Sequence, residues 1–593
     1  MDTGGSQLPG NEQRPAAAPA PTVSQFLGRT RELKELRADI ERAGLDTLSG
    51  RKAPRARVLL IAGRPGSGRT ALAEELVRQV ADRYRDGVLR ARLTEPDGTP
   101  VPTERTAREL LAALEVATPP GAAEDDLTEA LREALADRRT LLLLDDVAAA
   151  EQVDALLPGT PDCLVVAVSE GPLTGIADVR PCTLGGLDTK SALELLGRLT
   201  GAVRITVDPR AAEGLVEECA GQPLALVLAG SWLAARPQAA VADLAKQLRS
   251  EGDEGPPTAR LFRLAYAGLP ATAQRILRLL SLAPAGLVDP HTASALAGCS
   301  VSAAHTTLDD FAALGLVRLL ESPLPQYEVP GSLLPLLRAL AESRERPAEL
   351  QLARARMLER TVRLLQSCRA ITETDSIEAR EKLLGMPRTL RFPNPRAAAD
   401  WLRVRQPALL AAARSAVADG ELDTLARRLM SQLVRAMVAH FGTQASAPEL
   451  YGIHRLVLDV AERRNLPREQ AAALLNLADL DTRTGRTTEA LARYRAALDA
   501  GREANDPYAT GRAMESVGGA HQELGTTTGP PTGTAGRWPS GWRATSAWTR
   551  RGCTAVSPPR TPMRAATARR CATGARRSPG TARTAMWRPR RGR

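Results

Sequence analysis

The sequence has few aromatic residues: five Phe, six Trp and six Tyr make up 3% of its 593 residues. Leu, Ala and Val must fill its cores, which favours helix packing over the sandwiches and barrels that draw on aromatic and β-branched strands. Cysteine is also sparse. Cys163, Cys182, Cys219, Cys299, Cys368, Cys553 and Cys571 stand far apart, without C-x-x-C spacing. The five histidines are equally dispersed, so neither a zinc site nor a disulfide framework is expected, and the pattern fits a reducing cytosol. Cys163, Cys182 and Cys219 flank apolar runs and read as core residues rather than nucleophiles. No apolar run approaches the roughly 18–20 residues of a membrane span; the stretch from Pro223 to Ala235 is shorter and holds Ser231. The opening MDTGGSQLPGNEQ lacks the basic-then-apolar layout of a signal peptide. These absences lead to the expectation of a cytoplasmic protein with no membrane partner.

Negative charge is missing from one region altogether. Residues 526–593 carry 15 Arg and no Lys, Asp or Glu. The formal net charge of +11 comes from this tail, since the rest of the chain holds 64 basic against 68 acidic residues. The tail also lacks Leu, Ile and Phe, a composition that cannot bury a core. Residues 1–25, rich in Pro, Ala, Gly and Gln, read as a disordered lead.

What is present between these ends is ordered by periodicity. Leu33, Leu36 and Ile40 in FLGRTRELKEL have helical spacing. From Val58 to Val168 short apolar runs alternate with helical patterns. VLLIA (58–62), VLRARL (88–93), TLLLL (140–144) and CLVVAV (163–168) read as strands. Residues 70–82, 104–115, 125–137 and 149–157 read as helices, and this alternation predicts a parallel sheet covered on both faces. From Asp188 to Ser250 only helical patterns occur. Residues 258–340 give short helices, then VRLL (317–320) and QYEV (326–329) around a Pro-containing turn, the layout of a small winged-helix unit. Residues 345–525 are helical with a break near 385–395.

The last helical stretch repeats itself. LLNLADLDTRTG (474–485) and MESVGGAHQELG (514–525) align at a period of 40, with EALARYRAAL (489–498) between them. Ala490, Tyr494 and Ala497 would face the partner helix, giving helix pairs similar to tetratricopeptide repeats with an insertion.

Strand 58–62 runs into GRPGSGRT (Gly63–Thr70) and then a helical ALAEELVRQV. This is the P-loop layout, in which glycines permit the turn and backbone N–H groups and the helix N-terminus cradle phosphate. It makes Gly63, Gly66, Ser67, Gly68, Arg69 and Thr70 candidates for nucleotide binding, with the Thr70 hydroxyl placed to ligate Mg²⁺. Arg69 departs from the motif, which has Lys; a planar guanidinium has a different reach from a compact ammonium, so transition-state geometry suffers. LLLLDDV (141–147) is a buried strand ending in two carboxylates, the place of a Walker-B pair. Asp145 would hold Mg²⁺, and Asp146 would be the catalytic carboxylate that orients the attacking water.

The motifs in residues 26–525 resemble those of signal-transduction ATPases with numerous domains (STAND), of the NB-ARC type found in bacterial regulators with repeat tails. FLGRTREL (26–33) is similar to the family's hhGRExE motif, with Gly28, Arg29 and Glu32 matching and Thr30 departing, and the resemblance implies Gly28 and Arg29 as further nucleotide-binding residues. CAGQPLAL (219–226) is similar to its GLPLA motif, whose proline, here Pro223, would pack near adenine. The resemblance implies ATP or ADP with Mg²⁺ as cofactor, a nucleotide-driven homo-oligomer, and repeats that bind a protein partner. Two further departures bear on phosphate. Glu170 ends VVAVSE (165–170) where the family has Arg, and Pro330 and Gly331 in YEVPGSLL (327–334) replace a His-Asp pair.

The expected fold is multidomain α/β plus α: the lead (1–25), a P-loop parallel-sheet nucleotide-binding domain (26–185), a helical domain (186–256), a winged-helix-like domain (257–343), a truncated helical repeat array (344–525) and the tail (526–593). The expected function is a regulatory switch with at most weak ATPase activity. A nucleotide-independent protein-interaction scaffold and a transcriptional regulator of the NB-ARC type are the alternatives. Direct DNA reading is not expected of residues 1–525, because no Lys or Arg occurs between Leu279 and Val317 and the candidate reading helix (301–313) carries Asp309 and Asp310.

The tail reads as an out-of-frame translation of a GC-rich gene, the alternative being a genuine basic tail that binds nucleic acid or acidic surfaces. Translating the DNA beyond codon 525 in the other two frames is expected to yield an EALxxYxxAL-like helix; if neither frame does, the basic tail stands.

Overall fold

The computed structural model describes residues 26–48, 56–96, 98–176, 179–250, 255–373 and 377–525. The expected disordered lead and the Arg-rich tail lie outside the described residues. Helix α1 (Thr30–Leu48) precedes an alternation of strands and helices: β1 (Arg57–Gly63), α2 (Arg69–Val80), β2 (Val88–Arg92), α3 (Thr103–Ala113), α4 (Glu124–Ala136), β3 (Leu141–Val147), α5 (Ala150–Leu156), β4 (Leu164–Ser169) and β5 (Arg180–Leu184). All strand pairs in this sheet are parallel, in the order β2-β3-β4-β1-β5. Strand β1, between β4 and β5, pairs Ile61 with Val168 on one side and with Cys182 on the other.

Both faces of the sheet are buried. Leu59, Ile61, Leu143 and Val166 pack with Leu72 and Leu76 of α2, while Leu60, Leu142, Leu144 and Val165 pack with Leu110 of α3 and Leu131 of α4. Strands covered on two sides read as continuous apolar runs, which is why β1, β3 and β4 are visible in the sequence, whereas β2, at one edge, shows alternation with Arg90 exposed. The fifth strand, β5, is not visible there. Its sequence RPCTL carries Arg and Pro, and it pairs only with β1 at the sheet edge, where Pro is tolerated.

After the sheet come α6 (Thr189–Thr200), α7 (Ala202–Val207), α8 (Pro209–Glu218), α9 (Pro223–Ala234) and α10 (Val241–Ser250). Then follow α11 (Pro257–Ala267), α12 (Ala271–Leu279), β6 (Leu287–Val288), α13 (Pro290–Ala297), α14 (Val301–Ala313), β7 (Arg318–Leu319), β8 (Tyr327–Glu328) and α15 (Leu334–Arg344). β6, β8 and β7 form a small antiparallel sheet; β6 was not anticipated, being two residues long. Helix starts follow side-chain capping: Asp188, Asp208, Asp289 and Ser300 each accept a first-turn N–H. Residues 192–337 share one buried cluster, with Leu226 and Trp232 of α9 in the same core as Phe262, Phe311 and Tyr327. Cys163, Cys219 and Cys368 are buried and Cys182 is partly buried, all four as free thiols.

The remaining helices are α16 (Pro347–Ala370), α17 (Ile377–Gly385), α18 (Pro395–Asp419), α19 (Asp423–Phe441), α20 (Ala447–Arg463), α21 (Pro467–Arg483), α22 (Thr487–Glu503) and α23 (Pro507–Glu523). The last four are 17 residues each and start 20 residues apart. Their short connectors hold Asn465, Gly485 and Asn505 at φ 51°, 79° and 49°, and Gly525 follows at 65°. A left-handed residue at one fixed place ends each helix and reverses the chain. The repeat thus begins one helix earlier, at α20, than the sequence alignment at 474 suggests. Ala490, Tyr494 and Ala497 are buried against neighbouring helices as expected. Among the described residues, no helix is long and apolar enough to cross a membrane.

The connector geometry makes a stability prediction. Gly485→Ala is expected to destabilise the array by about 1 kcal/mol, the cost of a left-handed Cβ, whereas Asn465→Gly and Asn505→Gly are neutral or stabilising. Urea unfolding midpoints of the three variants compared with the parent chain check this.

Candidate phosphate-binding site

The loop between β1 and α2 curls as its sequence requires. Gly66 and Gly68 have φ of 80° and 85°, and a Cβ on Gly63 would come within 2.8 Å of the Ser67 hydroxyl. The first-turn amides of α2 have no acceptor within their own helix. Ser67 Oγ and Arg69 Nη1 are buried and make no hydrogen bond among the described residues. Orphaned donors around a loop that only glycines can form fit a phosphate, which accepts several hydrogen bonds at once.

Three elements hold this loop from outside. Arg29, buried and at φ 59°, donates to the carbonyls of Ser67, Gly185 and Gly186 and pairs with Glu32. Its guanidinium thereby ties the loop to the exit of β5; Arg29 positions the loop. Gly28, at φ 70°, lies where a Cβ would meet Ser191 Cβ at 2.9 Å, so the chain passes close to α6 there. From the other side, Gln222 Nε2 donates to Pro65 O at 2.6 Å and the Leu224 amide to Gly66 O at 3.2 Å. Pro223, between them, sits beside Gly68 and covers the loop.

The two carboxylates lie next to this hollow. Thr70 Oγ1 donates to Asp145 Oδ1 at 3.1 Å. This is an oxygen pair of the kind Mg²⁺ takes. The β3–β4 register shifts between Leu144 and Val147, and Asp146 adopts φ 52° inside this irregularity. Such a bulge re-aims a side chain at the end of a strand. Burial, then the adjoining charge of Asp146, raises the pKa of Asp145, against the pull of the Thr70 hydrogen bond.

Asp146 is not free. Arg92, at the end of β2, donates to its Oδ2 from Nε at 3.0 Å and from Nη2 at 2.8 Å. Arg92 also reaches Glu328 of β8 at 3.4 Å, and Arg318 binds the other oxygen of Glu328. Burial disfavours the charge on Arg92, but the hydrogen bond and charge of Asp146, with Glu328 and Asp145, outweigh it and raise its pKa. Arg69 lies 3.8 Å from Asp146 and 3.9 Å from Glu170. Glu170, which stands where the family has Arg, thus partly neutralises the loop cation. Pro330 and Gly331 bring no charged group, and Glu328 makes the contact between the small sheet and the end of β2. Sequence reading missed Arg92 and Glu328; an Arg at the carboxyl end of a parallel strand, where ligands of such sheets bind, was the available signal. Among the described residues there is no cluster of three or more His, Cys, Asp or Glu that could hold a metal ion by itself.

The fold and this loop define a P-loop protein, and residues 53–158 match the family described as AAA domain. The chain is homologous to a regulator: it is 31% identical over 517 residues to the regulatory protein AfsR of Streptomyces griseus, covering 85% of this chain and 51% of that one. AfsR of Streptomyces coelicolor is 31% identical over 431 residues, covering 69% of this chain and 42% of its own. The chain spans about half the length of the curated relatives it matches. Among solved structures, a STAND protein with a tetratricopeptide repeat sensor from Pyrococcus horikoshii is similar over 85% of this chain and 81% of its own, at 15% identity and a TM-score of 0.39.

The carboxylate environment sets a pH dependence. With its pKa raised on folding, Asp145 holds its proton more tightly in the native state, so stability falls as pH rises from its ordinary value near 3.8 through the raised one. Asp145→Asn is therefore expected to raise the thermal midpoint at pH 7, with a smaller gain at pH 4. Melting curves of parent and variant at both pH values test this.

Proposed function

We propose that the chain is a nucleotide-controlled regulatory switch that binds ADP or ATP with Mg²⁺ and has at most weak hydrolytic activity. The observation that carries this reading is the pair of buried, unpartnered donors, Ser67 Oγ and Arg69 Nη1, within the glycine loop. The loop amides, Ser67 and Arg69 would hold phosphate, and Thr70 and Asp145 would hold the Mg²⁺. Such an ion supplies charge neutralisation between phosphates. Adenine is the base implied by the family resemblance, with Pro223 beside it. Asp146, in its hydrogen-bonded ion pair with Arg92, is poorly disposed to activate water, which supports slow turnover.

The helical array serves a protein partner in this reading, and the chain acts in the cytoplasm, assembling with further copies when nucleotide changes. In α14, Asp309 accepts from Tyr327 Oη at 2.5 Å, so the acidic side chain is used to fasten the helix to the small sheet. That supports a protein-facing role for this unit. The ion pairs of Arg69 with Asp146 and Glu170 favour a second reading, a scaffold whose loop cation is already satisfied.

Full-length protein denatured after purification and analysed by chromatography is expected to release adenine nucleotide. Arg69→Ala should weaken binding of a fluorescent ADP analogue at least about tenfold, the loss of a charged hydrogen bond. Arg92→Ala should keep affinity within about threefold while raising ATP turnover, because Asp146 is released. No retained nucleotide and no binding at millimolar concentration would leave the scaffold.

A further inference from the structure

Away from the phosphate loop, a small recess of about 20 Å³ opens between α13, α16 and α18, lined among others by Asp289, His291, Thr292, Arg360, Trp401 and Arg405. Its polar groups are deeply placed: Asp289, Thr292, Trp401 and Arg405 are each 6–8% exposed. Several are accounted for. Asp289 caps α13 by accepting the Thr292 amide at 2.8 Å, Arg405 Nη2 donates to Thr292 Oγ1 at 3.1 Å, and Arg405 lies 3.7 Å from Asp289.

Three nitrogens are not. Arg405 Nη1, Trp401 Nε1 and His291 Nδ1 are buried without a hydrogen-bond partner among the described residues. Leaving such polar groups unpaired costs about 1–3 kcal/mol each, more for a charged group. The indole ring itself is fixed, packed against Phe392 with centroids 5.3 Å apart. Charge is unbalanced as well, because two guanidiniums, Arg360 and Arg405, line the recess against one carboxylate, Asp289. Water could accept the hydrogen bonds but would not cancel the surplus positive charge. The space excludes a nucleotide and suits a group the size of a water or a small ion.

We propose that this recess binds one small monovalent anion, a halide or a short carboxylate, on Arg405 Nη1, Trp401 Nε1 and Arg360. The anion joins α13 of the small-sheet unit to α16 and α18, and so fixes the base on which the helical array is mounted. The proposal is independent of nucleotide binding, since no residue of the recess belongs to the phosphate loop.

The test uses the full chain at constant ionic strength, with sodium gluconate, too bulky for the recess, replaced stepwise by chloride, formate or acetate. The thermal midpoint is expected to rise by a few degrees and saturate. A rise with chloride alone assigns a halide, and one with formate or acetate a carboxylate. Trp401→Phe, which keeps the ring but removes its N–H, and Arg360→Gln, at a partly exposed position, should each weaken the apparent affinity about tenfold. Chloride-35 line broadening by the protein, reversed by formate if both compete, reads binding without unfolding. Midpoints indifferent to all three anions, with no excess line broadening over Arg360→Gln, would overturn the proposal and leave a water-filled recess. Equal shifts in both variants and the parent would overturn it too, by placing the anion elsewhere.

Discussion

The arrangement of the parallel-sheet region against the helices that follow it turns on the end of strand β2. Within five residues, Arg92 binds Asp146 and Glu328, Glu95 receives Arg105 and Arg414, and the Pro96 carbonyl accepts from Arg338. These partners come from β3, β8, α3, α18 and α15. Each bridge is partly exposed and by itself stabilises by about 1 kcal/mol or less. Their concentration at one strand end is what matters. A carboxylate of the phosphate site is fastened to the small sheet through a single guanidinium, so a change at Asp146 reaches Glu328 with no intervening flexible segment.

The same economy explains why the phosphate loop is held from outside. Arg29 pulls on the Ser67 carbonyl, while Gln222 and Leu224 hold the carbonyls of Pro65 and Gly66. Carbonyls that point outward leave amides and side-chain donors to face inward, the polarity an anion needs. Loop shape is therefore shared between the sheet, the opening helix and α9, rather than being a property of eight residues alone.

Much of this was legible before any coordinates. Strands β1, β3 and β4 are legible because burial on both faces demands unbroken apolar runs, β2 because its side chains alternate between buried and exposed, and the loop and the Asp145–Asp146 pair because their spacing is local. The edge strand β5 was hidden by Arg180 and Pro181, which a central strand would not tolerate. Arg92 and Glu328 are 236 residues apart, and no periodicity connects them. The first helix of the array is hidden because Tyr451, Ile453 and Val460 stand among its buried residues, where α21 buries only Ala, Leu and Asp481. The connectors, alternating Asn and Gly at equal intervals, carried the register that side-chain matching missed.

Arg69 leaves one lasting mark on how the molecule could be controlled. A guanidinium keeps its proton throughout the physiological range and is no target for acetylation. The loop's positive charge is consequently a constant, and any signal that modulates this site must work on the acids around it or on the strand end that holds them.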